Sequence, residues 1–455
     1  MDYQKAQIRM GQHDEYLSNV KSVKDKKPNI VLVFADDMGY GDISCFGSKA
    51  IHTPCLDSLA EDGVKMNNFY AASPVCSPSR FSLLTGRYPC RGFVSGVFFP
   101  TVTSYGRDLN KMMFKYDIEG IIPDEITSAA ALKEAGYKTG IFGKWHLGDC
   151  SPHLPTENGF EYFFGSYYSN DMQPYAYYRN HEIAIEAEVD QTQMTKAITS
   201  EILEFIDKNE KEPFFIYYAS PFPHRPVSAS EDFTGQSDGG TYGDCVEELD
   251  WSVGQIRKKI EEKGLTNDTL FIFTSDNGPW YEGSPGLHRG RKANLFDGGH
   301  IVPFIASWPG TIPRSRVIDY SAMNIDIFPM LLNIAGIALP QDREIDGTDM
   351  LPLLTGEAED NLHEYLYFVG FKGVEKDIFL RAIRSKDNFK YCVRNQSENT
   401  AFNMVEQGPF LFNLAFDSNE SYNTIAHFPK KTEELKDNLE AKQEEMNRNP
   451  RGWIE

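Results

Sequence analysis

Residues 28–42 read PNIVLVFADDMGYGD, and this stretch decides the fold. Its first half, residues 29–34 (NIVLVF), is almost continuously apolar, which is typical of a strand buried on both faces of a parallel sheet. The polar second half begins abruptly at Asp36 and Asp37, at the point where such a strand would end. Similar apolar runs recur along the chain, at 139–142, 214–219, 270–274 and 302–307.

Amphipathic helical patterns alternate with these runs, at 128–135, 242–260 and 325–334. The apolar positions of 242–260 are spaced by three and four residues, and the pattern stops before Gly264, as expected of a helix with one buried face. Alternating strands and helices predict an α/β fold, with a large, mostly parallel central sheet sandwiched by helices.

The pattern changes after about Gly356. Short apolar runs at 364–369, 379–384, 389–393 and 410–414 are spaced like a small antiparallel sheet, and a charged helical pattern follows near 431–448. The chain of 455 residues also exceeds the roughly 250–300 residues at which one core stops growing. We therefore predict a polar lead-in at 1–27, a large α/β domain at 28–356 and a smaller C-terminal α+β subdomain at 357–455.

The composition excludes several classes of function. With 45 Lys+Arg against 66 Asp+Glu, the formal net charge is −21, which argues against a nucleic-acid-binding protein. No run approaches the roughly 18 apolar residues of a membrane span. The polar first 28 residues lack the apolar segment of a secretory signal, so the chain as written is expected in the cytoplasm, or in the periplasm or outside the cell if a signal was removed.

Polar side chains follow four of the predicted strands, where parallel strands would bring them to one edge of the sheet. A single such residue often only caps the next helix, but four clusters at equivalent strand ends indicate a site. Carboxylate and amide oxygens are the ligands of Ca²⁺ or Mg²⁺, whereas zinc prefers His and Cys. The four clusters are Asp36 with Asp37, Lys144 with His146, His224 alone, and Asp276 with Asn277.

Cys76 stands apart from the other six cysteines because it opens the sequence CSPSR, between an apolar run and a helical pattern. The simplest interpretation is a small buried residue at a helix start. An alternative is a thiolate nucleophile whose pKa is lowered by the helix N-terminus. Neither interpretation explains the hard oxygen ligands nearby in the predicted fold, since thiolates bind calcium poorly.

The motifs together resemble the type I formylglycine-dependent sulfatases of the alkaline-phosphatase superfamily. CSPSR (76–80) followed by LLTGRYP (83–89) is similar to the family signature C-x-P-x-R with its downstream L-T-G-R. The resemblance extends from Asn29 to about Asp349. Its further motifs are the opening stretch, GYKTGIFGKWHLG (136–148), SPFPHRP (220–226), FTSDNG (273–278) and GRKANLFDGGHIVPFIASWPG (290–310).

The resemblance implies a cofactor set and a maturation partner. In this family a separate formylglycine-generating enzyme oxidises the signature cysteine, here Cys76, to Cα-formylglycine, and the hydrated aldehyde is the nucleophile. A calcium ion, with magnesium as the alternative, would be held by Asp36, Asp37, Asp276, Asn277 and the modified Cys76.

The resemblance also implies roles for the charged residues. Arg80 would orient the formylglycine hydrate, while Lys144 and Lys292 would bind the sulfate oxygens. On this assignment we expect Asp276 to activate the nucleophile. We expect His224, with Lys292 as the competing candidate, to protonate the leaving alcohol. His146 would accept the proton that is lost when the hydrate collapses to the aldehyde and releases sulfate.

The resemblance also implies that the tyrosine-rich stretch 161–178 (EYFFGSYYSNDMQPYAYY) lies near the substrate. Tyrosines offer stacking faces to sugar rings, although half-buried aromatic residues of an ordinary loop are the simpler interpretation. We expect Asn170 and Asp171 to contact sugar hydroxyls. The predicted substrate is a sulfated saccharide, with 6-O-sulfated galactose or N-acetylgalactosamine as the leading choice. Two alternatives stay open: a phosphonate monoester hydrolase or phosphodiesterase on the same scaffold, and an unmatured chain that keeps its Cys76 thiol and only binds sulfated glycans.

Overall fold

A computed structural model describes residues 3–24, 26–370, 380–393, 395–396 and 406–454. The helices are α1 (Tyr3–Asn19), α2 (Pro54–Glu61), α3 (Cys76–Thr85), α4 (Ser104–Met113), α5 (Ser128–Glu134), α6 (Met194–Asn209), α7 (Gly240–Glu262), α8 (Asp297–His300), α9 (Ile327–Ala335), α10 (Leu351–Thr355) and α11 (Pro429–Arg448). The strands are β1 (Asn29–Ala35), β2 (Val64–Met66), β3 (Phe69–Tyr70), β4 (Lys138–Lys144), β5 (Tyr162–Ser166), β6 (Tyr177–Arg179), β7 (Glu182–Ile185), β8 (Phe214–Ala219), β9 (Thr269–Ser275), β10 (Phe304–Ser307), β11 (Arg316–Ile318), β12 (Ala322–Met323), β13 (Tyr365–Val369), β14 (Leu380–Ser385), β15 (Phe389–Cys392), β16 (Asn395–Gln396), β17 (Glu406–Gln407) and β18 (Phe410–Asn413).

The large sheet has ten strands in the order β11-β2-β10-β9-β1-β8-β4-β5-β6-β7. Its centre, β9-β1-β8-β4-β5, is parallel throughout, and every residue of β1 is buried. This confirms the predicted mostly parallel sheet. The run at 302–307 forms β10, which pairs antiparallel with β9, because an apolar run encodes burial but not strand direction.

Helices cover both faces of this sheet. Alternate residues of β1 point to opposite faces, so Leu32 joins one buried apolar cluster and Val33 joins another. The first cluster includes residues of α3, α5 and α9, and the second includes residues of α2, α6 and α7. Two packed layers of helices therefore hold the sheet rigid, as the predicted α/β sandwich requires.

The smaller C-terminal sheet, β13-β14-β15-β18, is antiparallel, as its sequence pattern predicts. Phe379, the first residue of the predicted run at 379–384, lies outside the described residues. Leu366 and Ile383 of this sheet share a buried cluster with Tyr70 and Phe296 of the preceding region. The two parts thus meet through a common apolar core, and the boundary at 356/357 stays a prediction.

The predicted polar lead-in contains α1. Its Tyr16 hydroxyl donates a hydrogen bond to the Ala338 carbonyl, and the Arg9 guanidinium lies 4.7 Å from the centre of the Trp453 ring. These contacts dock the lead-in onto the main body. Within the part of the chain that the structure describes, no helix combines the length and the apolar character needed to cross a membrane.

A buried ion cluster joins the C-terminal sheet to the main body. Lys390 of β15 is fully buried, and its Nζ lies 2.6 Å from Asp297 Oδ1 and 2.9 Å from Glu420 Oε1. Removing one member of a buried ion pair leaves an uncompensated charge, which costs about 3–5 kcal/mol. Lys390→Met is therefore expected to lower the thermal unfolding midpoint strongly, as measured by differential scanning calorimetry.

Lys431→Met is the matched control, because Lys431 pairs with Asp387 and Glu434 at the protein surface. A pair of that kind is worth about 0–1 kcal/mol. Equal shifts of the midpoint in the two variants would contradict the role given to Lys390.

Candidate active site

Four parallel strands deliver the predicted polar residues to one edge of the sheet. Asp36 and Asp37 follow β1, Lys144 ends β4, His224 follows β8 and Asp276 follows β9. Backbone bonds lock neighbouring strand ends together, since the Asp276 amide donates to the Ala35 carbonyl and the Asp36 amide to that of Phe222. The convergence expected from the sequence is therefore present in the structure.

Three cations face three carboxylates at this edge. Lys144 Nζ lies 2.6 Å from Asp36 Oδ2, and Lys292 Nζ lies 2.7 Å from Asp37 Oδ1. The third pair joins Arg80 Nη2 to Asp276 Oδ2 at 2.9 Å. The formal charges of these six side chains cancel, so a bound divalent cation would leave the site positive and suited to an anionic substrate.

Cys76 lies within this cluster at the first residue of α3. Its Sγ is 3.6 Å from Asp36 Oδ1 and 3.5 Å from Lys292 Nζ, and the residue is 1% exposed. Burial raises the pKa of the Cys76 thiol to about 12, with Lys144 and Lys292 opposing the shift. The thiol is therefore uncharged near neutral pH, which does not support the thiolate alternative.

Three members of the predicted metal-ligand set, Asp36, Asp37 and Cys76, are gathered in the structure. One ligand atom from each of them lies within 4.8 Å of the others and of a ring nitrogen of His224, a residue outside the predicted set. Asn277 Oδ1 is buried and has no hydrogen-bond partner among the described residues, while its Nδ2 donates to Asp37 Oδ1 at 2.8 Å. An orphaned, buried amide oxygen beside carboxylates is suited to a hard cation such as Ca²⁺.

The carboxylates of the site perturb one another. Burial, Asp36 and Asp37 raise the pKa of Asp276 to about 7, although Arg80 opposes the shift. The pKa of Asp36 is instead held well below its usual range, since Lys144 and other cations outweigh the cost of burial. Of these two carboxyls, Asp276 is therefore the one that holds a proton more readily.

His146 follows β4 and is fully enclosed. Its Nε2 lies 3.1 Å from the Phe98 carbonyl, whereas its buried Nδ1 has no partner in the described structure. Because a carbonyl only accepts, Nε2 carries the proton and Nδ1 is bare. Burial, Lys144 and Arg80 hold the pKa of His146 well below its usual value, so the ring is neutral with one free acceptor nitrogen.

His224 and a residue that the sequence interpretation missed complete the site. His224 Nε2 lies 3.6 Å from Asp37 Oδ2. Ser169 is buried, and its hydroxyl is 3.2 Å from Lys144 Nζ and within 3.4 Å of both ring nitrogens of His224. Ser169 follows β5, so the strand-end rule applied to the other four strands could have found it.

The two residues predicted to contact sugar differ in exposure. Asp171 is exposed, whereas Asn170 is 1% exposed. The Asn170 amide is hydrogen-bonded to the segment that carries His224 and to Gln191. The structure therefore places Asn170 directly behind His224 and Asp171 at the surface.

The chain matches two family models. Residues 28–337 match the family model named Sulfatase, and residues 290–448 match the model of the N-sulphoglucosamine sulphohydrolase C-terminal region. The chain belongs to the sulfatase family. The predicted resemblance is thereby confirmed, and the protein is a sulfuric ester hydrolase.

Similar proteins cover most of this sulfatase. Human steryl-sulfatase is 36% identical over 444 residues, covering 77% of this chain and 74% of its own length. Human N-acetylgalactosamine-6-sulfatase is 35% identical over 432 residues, covering 87% and 81%. A structure from Bacteroides thetaiotaomicron, described under the metabolism of multiple glycosaminoglycans and labelled 6S-sulf, has a TM-score of 0.80 at 28% identity, covering 92% and 100%.

Proposed function

We propose that this sulfatase hydrolyses sulfate monoesters of carbohydrates, with a formylglycine made from Cys76 as nucleophile and a calcium ion, or magnesium, beside it. The observation that carries the proposal is a cluster in which the buried Arg80 and Lys144 and the partly buried Lys292 each pair with a carboxylate. Lys292 Nζ also lies 3.5 Å from Cys76 Sγ, and the orphaned Asn277 oxygen belongs to the same site. This arrangement brings positive charge and candidate metal ligands together at one nucleophile.

The lysines and the arginine would bind the substrate before any bond breaks. A sulfate monoester carries one negative charge spread over three oxygens, and its bridging oxygen gains charge as the S–O bond breaks. Lys144 and Lys292 are held rigidly by Asp36 and Asp37, so their charges need no reorganisation during the reaction. Preorganised charge of this kind is usually the largest catalytic contribution.

Residue 76 and the metal ion supply the chemistry that ordinary side chains lack. Once oxidised and hydrated, residue 76 supplies a hydroxyl nucleophile and a second hydroxyl that allows sulfate to be expelled. Asp36, Asp37, Asp276 and Asn277 would hold a cation, whose charge favours the ionised hydroxyl and neutralises the sulfate oxygens.

Three residues would then move protons. Asp276 would accept the proton of the attacking hydroxyl. His224 would donate a proton to the leaving oxygen, with Lys292 as the competing donor. His146, neutral with a bare Nδ1, would accept the proton released when sulfate is expelled.

Our substrate proposal is a 6-O-sulfated galactose or N-acetylgalactosamine unit. Support comes from the names of two similar proteins, the human N-acetylgalactosamine-6-sulfatase and the bacterial structure labelled 6S-sulf. Asp171, which is exposed and follows Asn170 in the sequence, is our candidate for a contact with a sugar hydroxyl. The similarity to steryl-sulfatase makes an apolar sulfate ester the competing substrate.

The test is free sulfate released by protein that was co-expressed with a formylglycine-generating enzyme. The panel contains galactose, glucosamine and uronate units sulfated at 6-O, 4-O, 3-O, 2-O or N, together with a steroid sulfate and an aryl sulfate. Release centred on 6-O-sulfated galacto-sugars is expected. Preference for another sulfate position or for the steroid sulfate would contradict the substrate proposal, but it would still support hydrolysis of sulfate esters.

The alternative activity is that of a phosphonate monoester hydrolase or phosphodiesterase. It is tested by comparing the turnover of the best sulfate ester with that of phosphonate and phosphate esters of the same alcohol. The names of the relatives favour the sulfate ester, so we expect faster turnover of that ester. Faster turnover of the phosphonate would reverse this assignment.

A further inference from the structure

We propose that Asn170 is a positioning residue for His224, in place of the sugar contact expected from the sequence. By accepting a hydrogen bond from Nδ1 of the ring, Asn170 would hold the Nε2 edge toward the reacting ester. The inference rests on the proposed function, in which His224 protonates the leaving oxygen.

The neighbours of the Asn170 amide nitrogen fix the orientation of its side chain. Nδ2 lies 3.2 Å from the His224 carbonyl oxygen, 3.1 Å from the Pro226 carbonyl oxygen and 3.0 Å from Gln191 Oε1. Gln191 Nε2 in turn donates to the Asn170 carbonyl at 3.0 Å. Reversing the amide would set its oxygen against backbone carbonyls, so Nδ2 is the atom that faces them.

The orientation of Asn170 then decides which ring nitrogen of His224 carries hydrogen. Asn170 Oδ1 lies 2.9 Å from His224 Nδ1, and the Arg225 carbonyl oxygen lies 2.6 Å from the same nitrogen. Both oxygens are acceptors, so Nδ1 is the donor. Ser169 Oγ, 3.3 Å from Nδ1 and 3.4 Å from Nε2, can donate or accept and does not change this assignment.

The opposite edge of the ring faces the reacting groups. His224 Nε2 is 3.6 Å from Asp37 Oδ2, and it is bare when the ring is neutral. In the doubly protonated ring, the hydrogen on Nε2 is the one that this geometry directs toward the ester. As the S–O bond breaks, its electron pair stays on the bridging oxygen, which takes the Nε2 proton and leaves as the alcohol.

Two substrates distinguish a loss of proton donation by His224 from a general loss of active-site structure. A nitrophenyl sulfate releases a stable phenolate and needs no proton, whereas a sugar 6-O-sulfate releases an alkoxide that does. We expect His224→Ala to lower kcat/KM for the sugar ester by about 10²–10⁴-fold, the range of general acid catalysis. Asn170→Ala is expected to lower kcat/KM for the sugar ester by at most about 10²-fold, through a lower kcat. Its effect on kcat/KM for the nitrophenyl ester should be less than about 3-fold, because that ester needs no proton donor.

The double variant tests whether Asn170 acts through His224. If it does, His224→Ala with Asn170→Ala together is no slower than His224→Ala alone, whereas independent roles give multiplied losses.

Asn158→Ala is the matched control. Asn158 is also buried and donates to two carbonyls, of Pro152 and Leu154, in the connection before β5 and away from the site. It should leave the ratio of the two substrates unchanged.

A second readout needs neither maturation nor metal. In protein labelled with ¹⁵N at histidine, the His224 signals are those lost in His224→Gln, and they should show hydrogen on Nδ1 of the neutral ring. Hydrogen on Nε2 would overturn the proposal.

The kinetic arms give two further ways to overturn it. Equal losses on both substrates in Asn170→Ala, or a raised KM for the sugar ester with kcat unchanged, would return Asn170 to a structural or sugar-binding role. Equal losses on the sugar ester and the nitrophenyl ester in His224→Ala would contradict the acid role of His224, and with it the positioning role of Asn170. Sulfate release by the wild type would still support the proposed reaction.

Discussion

Cys76→Ser is expected to lower sulfate release on the order of 10⁴–10⁶-fold, the loss seen when a catalytic nucleophile is removed. Serine places one hydroxyl where cysteine has its thiol, in nearly the same volume, so the buried site should still fold. It cannot supply the second hydroxyl through which sulfate is expelled, and a serine sulfate would need attack by water. The measurement is steady-state hydrolysis of an aryl sulfate, with protein co-expressed with the maturation enzyme.

Cys55→Ser makes the same chemical change on α2, at a partly buried cysteine outside the site. Its rate should stay within about 3-fold of wild type, as expected of a substitution away from functional groups. Near-normal turnover by Cys76→Ser would contradict the mechanism.

Asp276→Ala is the second variant with a large expected effect. Asp276 Oδ2 accepts from Arg80 Nη2 at 2.9 Å, and Oδ1 accepts from the Asp37 amide at 3.1 Å. The substitution would therefore remove a proposed metal ligand, the proposed base and the partner of a buried arginine together. We expect turnover to fall by at least about 10³-fold, and calcium binding, measured by isothermal titration calorimetry, to weaken strongly.

Asp250→Asn is the control for Asp276→Ala. Asp250 is also a buried carboxylate and accepts from the amides of Cys55 and Leu56, at the start of α2. Its substitution should lower stability and leave calcium affinity unchanged. Calcium affinity unaltered in Asp276→Ala would contradict the assignment of Asp276 as a ligand.

The sequence was most informative where burial dictates composition. The run at 29–34 had to be apolar because β1 is covered on both faces, and Asp36 and Asp37 had to follow because the strand ends at the site. Strand direction has no such signature, so the antiparallel pairing of β10 could not be read from its apolar residues. The short strands β6 and β7, the last two at one end of the large sheet, were missed for a related reason, since they bury few side chains.

The site was predictable as a set of residues and not as a network. Lys144 and Lys292 were identified from motifs, and the structure adds that each is held by its own aspartate. The contact between Asn170 and His224 joins residues 54 positions apart, and no local pattern encodes it. Exposure was equally invisible in the sequence, where Asn170 and Asp171 appear as one polar pair.

The most direct test of the formylglycine proposal is the mass of the tryptic peptide 66–80, MNNFYAASPVCSPSR, isolated from protein that releases sulfate. Conversion of Cys76 to formylglycine replaces sulfur and two hydrogens by one oxygen and lowers the mass accordingly. The lighter peptide is expected in active preparations, in proportion to their activity. An active preparation in which every copy of the peptide keeps the thiol would contradict the formylglycine proposal.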